Sequence, residues 1–307
     1  MIYTCTLNPA IDLFIETNEL KPDAVNRTNS YDIQPNGKGV NVSFILKNLN
    51  VDNVALGVGG GFTNNFIEES LQARGIMTDF VHIDGISRIN VFTRVLDTDL
   101  EYKQVNKGPE VIATKVAELL KRITEIKKAD TLVISGSFSQ GIEPTILEKI
   151  AEIANENQFK LVIDTSYKQV LDSLKYHPYL VKPNHEELLS WFGLPVTDDL
   201  DVLKKYAQKL LDLGVENVLL SIGKKGAIFM NHQTQIFGNA PEVKVVNTAC
   251  SGDTMLGTFL AGLEQNLDSK VNLQKSLAAA SSTAGRSGLT DFEDVADLMK
   301  HVIVKDI

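Results

Sequence analysis

Apolar residues along this chain follow two patterns. The first is a short unbroken run bounded by small or polar residues: IYTCTL (2–7), NVALGVGG (53–60), TLVISGS (131–137), KLVIDTS (160–166) and YLVKPN (179–184). Runs of this length without alternation predict strands buried on both faces, as in a parallel sheet. Between them lie segments of helical period at 40–49, 66–75, 145–157, 185–193 and 200–214, three of which close on a glycine, Gly75, Gly193 or Gly214. The βαβα rhythm predicts an α/β fold: a doubly wound, mostly parallel sheet with helices on both faces. The C-terminal third is predicted to be mostly helical, over 253–265, 271–287 and 291–303.

The second pattern is alternation of apolar and polar residues, in AIDLFIET (10–17) with RTNSYDIQ (27–34) and in RINVFTRVLD (88–97) with LEYKQVN (100–106). Alternation marks strands with one wet face, joined as hairpins or meanders. These segments predict a small lid sheet, contributed by about 10–34 and 87–107, on a single domain spanning 1–307. Such a flap can be decoration, cover a cleft or pair with a second subunit.

Composition narrows the function. The 307 residues carry 30 Lys+Arg against 39 Asp+Glu, a net charge of −9, which argues against a broad nucleic-acid surface. An anion would have to be met by a local cluster of basic groups and amides. Cys5 and Cys250 are the only cysteines and lie far apart, so no disulfide framework is expected and a cytoplasmic location is. No apolar stretch approaches ~20 residues, so no membrane span is expected. The N-terminus reads as a strand and not as a leader. His and Cys do not cluster at metal-ligand spacing.

The polar residues that stand out lie at or near strand ends, where ligands sit in doubly wound sheets: Asp12, NGKGVN (36–41), SGS (135–137), KPN (182–184), SIGKKG (221–226) and TACSGD (248–253). None is a standard nucleotide loop. GVGGG (57–61) has Phe62 where the dinucleotide fingerprint needs its last glycine, and Gly37-Lys38 is followed by Gly39 where the phosphate loop needs Ser or Thr. HEELL (185–189) lacks a second His, and there is no G-x-S-x-G elbow. The stretch VVNTACSGDTMLGTF (245–259) is the most suggestive. Amides of 249–252 leading into a helix would form an anion site. Asp253, just inside it, would be repelled by a phosphate yet placed to take a proton from an attacking hydroxyl. An aspartate there also serves as a plain helix cap, and these residues alone leave both readings open.

In NGKGVNVS and NTACSGDTMLGTF the chain resembles the two signatures of the ribokinase/PfkB carbohydrate kinases, and TLNPAID, VNR (25–27), RINV (88–91), SGS, KPNHEE and LSIGKKGA (220–227) follow in that family's order. The pattern is most similar to the hexose-phosphate branch. The resemblance implies a ribokinase-like fold and an ATP- and Mg2+-dependent kinase that phosphorylates a sugar phosphate. Fructose 1-phosphate, taken to the 1,6-bisphosphate, is the expected substrate; tagatose 6-phosphate, or a non-catalytic sensor on the same fold, is the alternative.

The resemblance also implies roles. Asp253 matches the general base, and the backbone of Ala249, Cys250, Ser251 and Gly252 the anion hole. Asp12, Gly37, Lys38 and Asn41 match sugar-binding positions, with Arg27, Arg88 and Ser137 for the sugar's own phosphate. Arg supplies forked donors for phosphate oxygens, although on sequence alone both arginines could equally lie on a solvated face of the flap. Lys182, Asn184, Ser221, Gly223 and Gly226 fall on the ATP side, and Glu187 with Asn184 would order magnesium, through water. Asn184 and Glu187 also read as the capping box of helix 185–193, and both roles can hold. Pairing of two copies through the lid is implied as well. Two positions depart from the family pattern. Asn36 stands where Gly is usual, and Cys250 likewise; a positive φ at Cys250 would strain the loop by ~1–3 kcal/mol. A thiol beside a helix N-terminus is expected to have a lowered pKa, which would make Cys250 open to alkylation.

Overall fold

The computed structural model describes residues 1–307. In chain order the strands are β1 (Ile2–Thr6), β2 (Ala10–Thr17), β3 (Ser30–Asn36), β4 (Asn53–Gly60), β5 (Met77–Ile83), β6 (Arg88–Val95), β7 (Leu100–Gln104), β8 (Thr131–Ser135), β9 (Lys160–Asp164), β10 (Leu180–Val181), β11 (Asn217–Ser221), β12 (Ala227–Met230), β13 (Gln235–Gly238) and β14 (Val304–Asp306). The helices are α1 (Lys38–Asn48), α2 (Gly61–Ala73), α3 (Ala113–Thr124), α4 (Ile146–Asn157), α5 (Val170–Ser173), α6 (His185–Trp191), α7 (Leu200–Asp212), α8 (Ser251–Glu264), α9 (Ser269–Ala284) and α10 (Val295–Met299).

Ten strands form the main sheet in the order β14-β13-β12-β11-β10-β9-β8-β1-β4-β5. Every pairing from β11 to β5 is parallel, and the β12, β13 and β14 edge is antiparallel. The unbroken apolar runs have the burial they predict: every residue of β4 and of β8 is buried. Their side chains alternate between two cores. Leu132, Ile134, Leu161 and Ile163 pack with α3, α4, α6 and α7 on one face, whereas Val133 and Val162 pack with α1, α8 and α9 on the other. Period-2 geometry thus feeds both layers from one strand.

The lid is a separate four-stranded sheet, β3-β2-β6-β7. Two antiparallel hairpins, β2/β3 and β6/β7, are joined by a parallel β2/β6 pairing. That register sets Ala10 beside Arg88 and Asp12 beside Asn90, so these side chains share one face.

Three expectations need correction. Of the predicted helix 291–303 only α10 forms: Phe292 sits in the left-handed region at φ 67, and the chain leaves the helix in time to add β14 to the sheet. The strand expected at 179–184 is two residues long, because Lys182 and Asn184 turn to the site and the capped helix. The lid strand expected at 27–34 begins at Ser30. No helix is long and apolar enough to cross a membrane.

Candidate active site

Helix α8 begins at Ser251 with Cys250 as its cap residue, and Asp253 is the third residue of its first turn. The carboxylate is buried, only 5 % exposed. Burial raises its pKa to about 6, against the pull of Lys38 and a hydrogen bond from Asn41, with Asp164 adding to the rise. Asp253 is therefore no simple cap. Its side chain accepts from Asn41 Nδ2 at 2.8 Å, across the interface between α8 and α1.

Asn41 belongs to α1, which starts from the lid strand through Gly37. Gly37 has φ 137, and a Cβ there would lie 2.8 Å from Thr6 Cγ2, so only glycine brings the helix start this close to β1. The next residue, Lys38, reaches Asp164 Oδ1 at 3.1 Å, and Lys182 Nζ meets the same oxygen at 3.2 Å. Asp164 is inaccessible to solvent. Burial alone would raise its pKa, but Lys182 and Lys38 outweigh it and hold the carboxyl below its ordinary value. Lys38 is in turn held more basic than usual, because Asp164, Asp253 and Glu187 outweigh its own desolvation. A permanently charged ammonium thus stands beside the carboxylate of Asp253.

Beyond Lys38 lies a cavity of about 260 Å³ with no hydrophobic residue in its lining. Arg88, Ser137, Glu187, Asn8, Thr6 and Ser135 contribute to it. Arg88 is fixed by donation to the Asn8 carbonyl at 3.2 Å, and Asn8 Nδ2 donates to Ser137 Oγ at 3.2 Å. Arg88 Nε, Thr6 Oγ1 and Ser135 Oγ are buried without a protein partner. Buried polar atoms of this kind await a ligand, and this set, one cationic and two hydroxylic donors, suits phosphate oxygens.

The lid closes the other side. Asp12 is 4 % exposed and accepts from Asn90 Nδ2 at 2.8 Å and from Asn36 Nδ2. Burial raises its pKa in spite of those bonds and Arg88. Asn36 Oδ1 accepts from the Gly37 amide at 2.5 Å and from Asn41 Nδ2 at 2.8 Å. Asp12, Asn36, Asn41 and Cys250 line a second cavity of about 510 Å³ that runs under Phe14 and Phe92 of the lid.

Lys182 Nζ lies 3.5 Å from where a Cβ on Gly252 would be, so a second cation of the Asp164 cluster stands beside the start of α8. The Cys250 and Gly252 amides donate to no protein group, but Ala249 N is already taken by Asn247 Oδ1 at 2.9 Å and Ser251 N has a long contact to the Thr248 carbonyl at 3.5 Å. The candidate anion hole is thus narrower than the four amides expected. Asn184 and Glu187 form a complete capping box, with bonds of 2.8 and 2.9 Å. Ser221 bridges to Asn184 at the end of β11, and the turn from Gly223 (φ 54) to Gly226 follows it, open at Gly223.

Arg27 is not part of this assembly. It is exposed in the loop between β2 and β3 and lines neither cavity. Cys250 adopts φ 64, the left-handed conformation at which a side chain is strained. Its thiol contradicts the expectation of a lowered pKa: burial first, then the Asp253 and Asp12 charges, push it up. Four residues escaped sequence reasoning, Thr6, Asn8, Asn90 and Asp164, and Ser135 entered it only as the first residue of the SGS cluster. Asp164 had a signal, since it is the one acid ending an otherwise apolar strand, LVID.

Comparison with known proteins gives the family of the chain. The model of the pfkB family of carbohydrate kinases matches residues 5–295. A D-tagatose-1-phosphate kinase of Bacillus licheniformis is 47 % identical over 291 residues, covering 95 % of both chains. A 1-phosphofructokinase of Bacillus subtilis is 33 % identical over 99 % of both. Among solved structures, Escherichia coli phosphofructokinase-2 in complex with fructose 6-phosphate superposes with a TM-score of 0.87 at 26 % identity, over 97 % of this chain and 98 % of that one.

Proposed function

The chain belongs to the pfkB family of carbohydrate kinases and is a sugar-phosphate kinase, and on that premise we propose that it transfers the γ-phosphoryl group of ATP to the 6-hydroxyl of fructose 1-phosphate. The observation that carries the transfer chemistry is Asp253 itself, a buried carboxylate bonded to Asn41, whose pKa burial pushes up to about 6. Asn41 ties it to the sugar-facing Asp12 side, and Lys38 connects it to the polar cavity. The C1 phosphate would meet Arg88 and Ser137, with the ring hydroxyls on Asp12. Asp253 would take the proton from O6 as O6 attacks. Lys38, Lys182 and the free amides of Cys250 and Gly252 would spread the charge that builds on the transferring group.

A second reading, D-tagatose 1-phosphate, is favoured by the 47 % identical relative of that name. It is the C4 epimer of fructose 1-phosphate and offers the same hydroxyl. Glu187 and Asn184 would hold magnesium, through water, and the ion would supply positive charge against the nucleotide's phosphates. The donor set fits: Glu187 lines the polar cavity and spends one oxygen on the capping box, leaving Oε1 for a hydrated ion, while Asn184 offers a carbonyl oxygen. We further propose that two copies pair through the outer lid face, on which Tyr31, Ile33 and Tyr102 are exposed beside Leu13 and Val91.

The test is ADP release over a panel of fructose and tagatose 1- and 6-phosphates. Turnover with a 1-phosphate, giving the 1,6-bisphosphate, is expected. Turnover confined to 6-phosphates, or none, would overturn the assignment.

A further inference from the structure

The two positions at which the chain replaces an expected glycine, Asn36 and Cys250, come together around Asn41. Asn41 Nδ2 lies 2.8 Å from Asn36 Oδ1, 2.8 Å from Asp253 Oδ2 and 3.2 Å from Cys250 Sγ. We propose that Asn36 is the residue by which this kinase tells the two C4-epimeric ketohexose 1-phosphates apart, a deepening that rests on the function proposed above.

Hydrogen-bond capacity carries the argument. The Asn36 carbonyl is saturated, because it accepts from both the Gly37 amide and Asn41. Those two donors also fix which way the carboxamide faces, so Nδ2 must point toward Asp12. One of its hydrogens goes to Asp12 Oδ2. The other meets no nitrogen or oxygen of the protein, only the weakly accepting Cys250 thiol, and Asn36 lines the cavity under the lid. Asp12, accepting one bond on each oxygen from Asn36 and Asn90, keeps a lone pair on each. The wall therefore offers one N–H donor beside a carboxylate acceptor, which a single hydroxyl satisfies by accepting from the first and donating to the second.

Position along the sugar selects that hydroxyl. With O6 at Asp253, the chain of bonds Asp253–Asn41–Asn36–Asp12 runs away from the reacting oxygen one hydrogen bond at a time. The hydroxyl on C4 stands two carbons from C6 and comes first among those that can reach the wall. In one epimer it satisfies both groups; in the other it turns away and leaves the Asn36 donor with only the weakly accepting Cys250 thiol. A site built to bond a hydroxyl discriminates strongly for that reason. With glycine at 36 neither the donor nor the restraint on Asp12 exists.

The experiment measures kcat/KM for fructose 1-phosphate and tagatose 1-phosphate with the full-length enzyme and with Asn36→Gly and Asn36→Ser, each checked by melting temperature. The wild-type enzyme should prefer one epimer, and Asn36→Gly should shrink that preference at least ~10-fold, mainly by loss on the preferred sugar. A purely structural role would lower both sugars together and leave their ratio intact, which would overturn the proposal. So would a wild-type enzyme that treats both alike. Wild-type inactivity on both 1-phosphates is a different result: it removes the functional reading itself, and this inference with it.

Discussion

Replacing Asp253 with asparagine should stabilise the protein while abolishing most of its turnover. The carboxyl pKa is raised from 3.8 to about 6, chiefly by burial. At about 1.4 kcal/mol for each pKa unit, the ionised form opposes folding by on the order of 3 kcal/mol at neutral pH. A raised carboxyl pKa means the folded chain binds the proton more tightly than the unfolded one. The penalty is therefore complete above pH ~6, shrinks as pH falls from 6 toward 4, and is gone below the unfolded value. Asparagine stands in for the neutral acid: it has the same size and keeps a carbonyl oxygen for Asn41 Nδ2. For a chain of this length, 3 kcal/mol corresponds to a rise in Tm of roughly 4–8 °C. Thermal melts of both proteins from pH 4 to 8 provide the assay, with ADP release measured alongside. The variant should melt higher at pH 8, converge with the wild type near pH 4, and turn over at least ~10² more slowly. Wild-type kcat/KM should fall below pH ~6 as Asp253 protonates. A variant no more stable than wild type at pH 8, or one whose advantage ignores pH, would refute the reasoning.

Arg88→Met should raise KM for the sugar phosphate at least ~10-fold with a smaller change in kcat, if Arg88 makes the ground-state phosphate contact proposed above; equal losses in kcat and kcat/KM would contradict this. Asp164→Asn leaves Lys38 and Lys182 without the carboxylate they share, and should destabilise by about 3 kcal/mol in a denaturant melt at pH 7, with the difference narrowing in acid below the ordinary carboxyl range; unchanged stability would count against the shared-anion account. Cys250 should react with iodoacetamide at pH 7.5 at least ~10-fold more slowly than a free thiol, followed by mass spectrometry of the labelled peptide. Labelling at the rate of a free thiol would show that Asp253 and Asp12 do not depress the thiolate as described.

Much of this architecture is legible in the residues. Strands β4 and β8 could be found because a run buried on both faces has no polar position to hide in. The lid could be found because its strands alternate. What escaped depends on contacts between segments far apart in sequence. β14 is three residues long and exists only because β13 offers it an edge, and the residues before it carry a helical period that Phe292 breaks. Asp253 and Lys38 stand out as charges in small-residue contexts, and Asp12 as a charge between Ile11 and Leu13. Asp164 becomes meaningful only when two lysines from different elements converge on it, and Thr6 and Ser135 only when their hydroxyls are seen to lack partners. Arg27 has the right chemistry for a phosphate, but a loop at the tip of a hairpin gives no signal of where it reaches.

The parallel pairing of β2 with β6 has a mechanical consequence. Asp12 and Asn90 grip each other across it, and Arg88 sits on the same ribbon two residues along. Short tethers, Leu7–Pro9 and Asp84–Ser87, hang this ribbon from the main sheet, and the second is clamped by Ser87 N to the Gly60 carbonyl at 2.9 Å. Tilting the plate lifts carboxylate and guanidinium together, so a guest held by both ends is let go all at once or not at all.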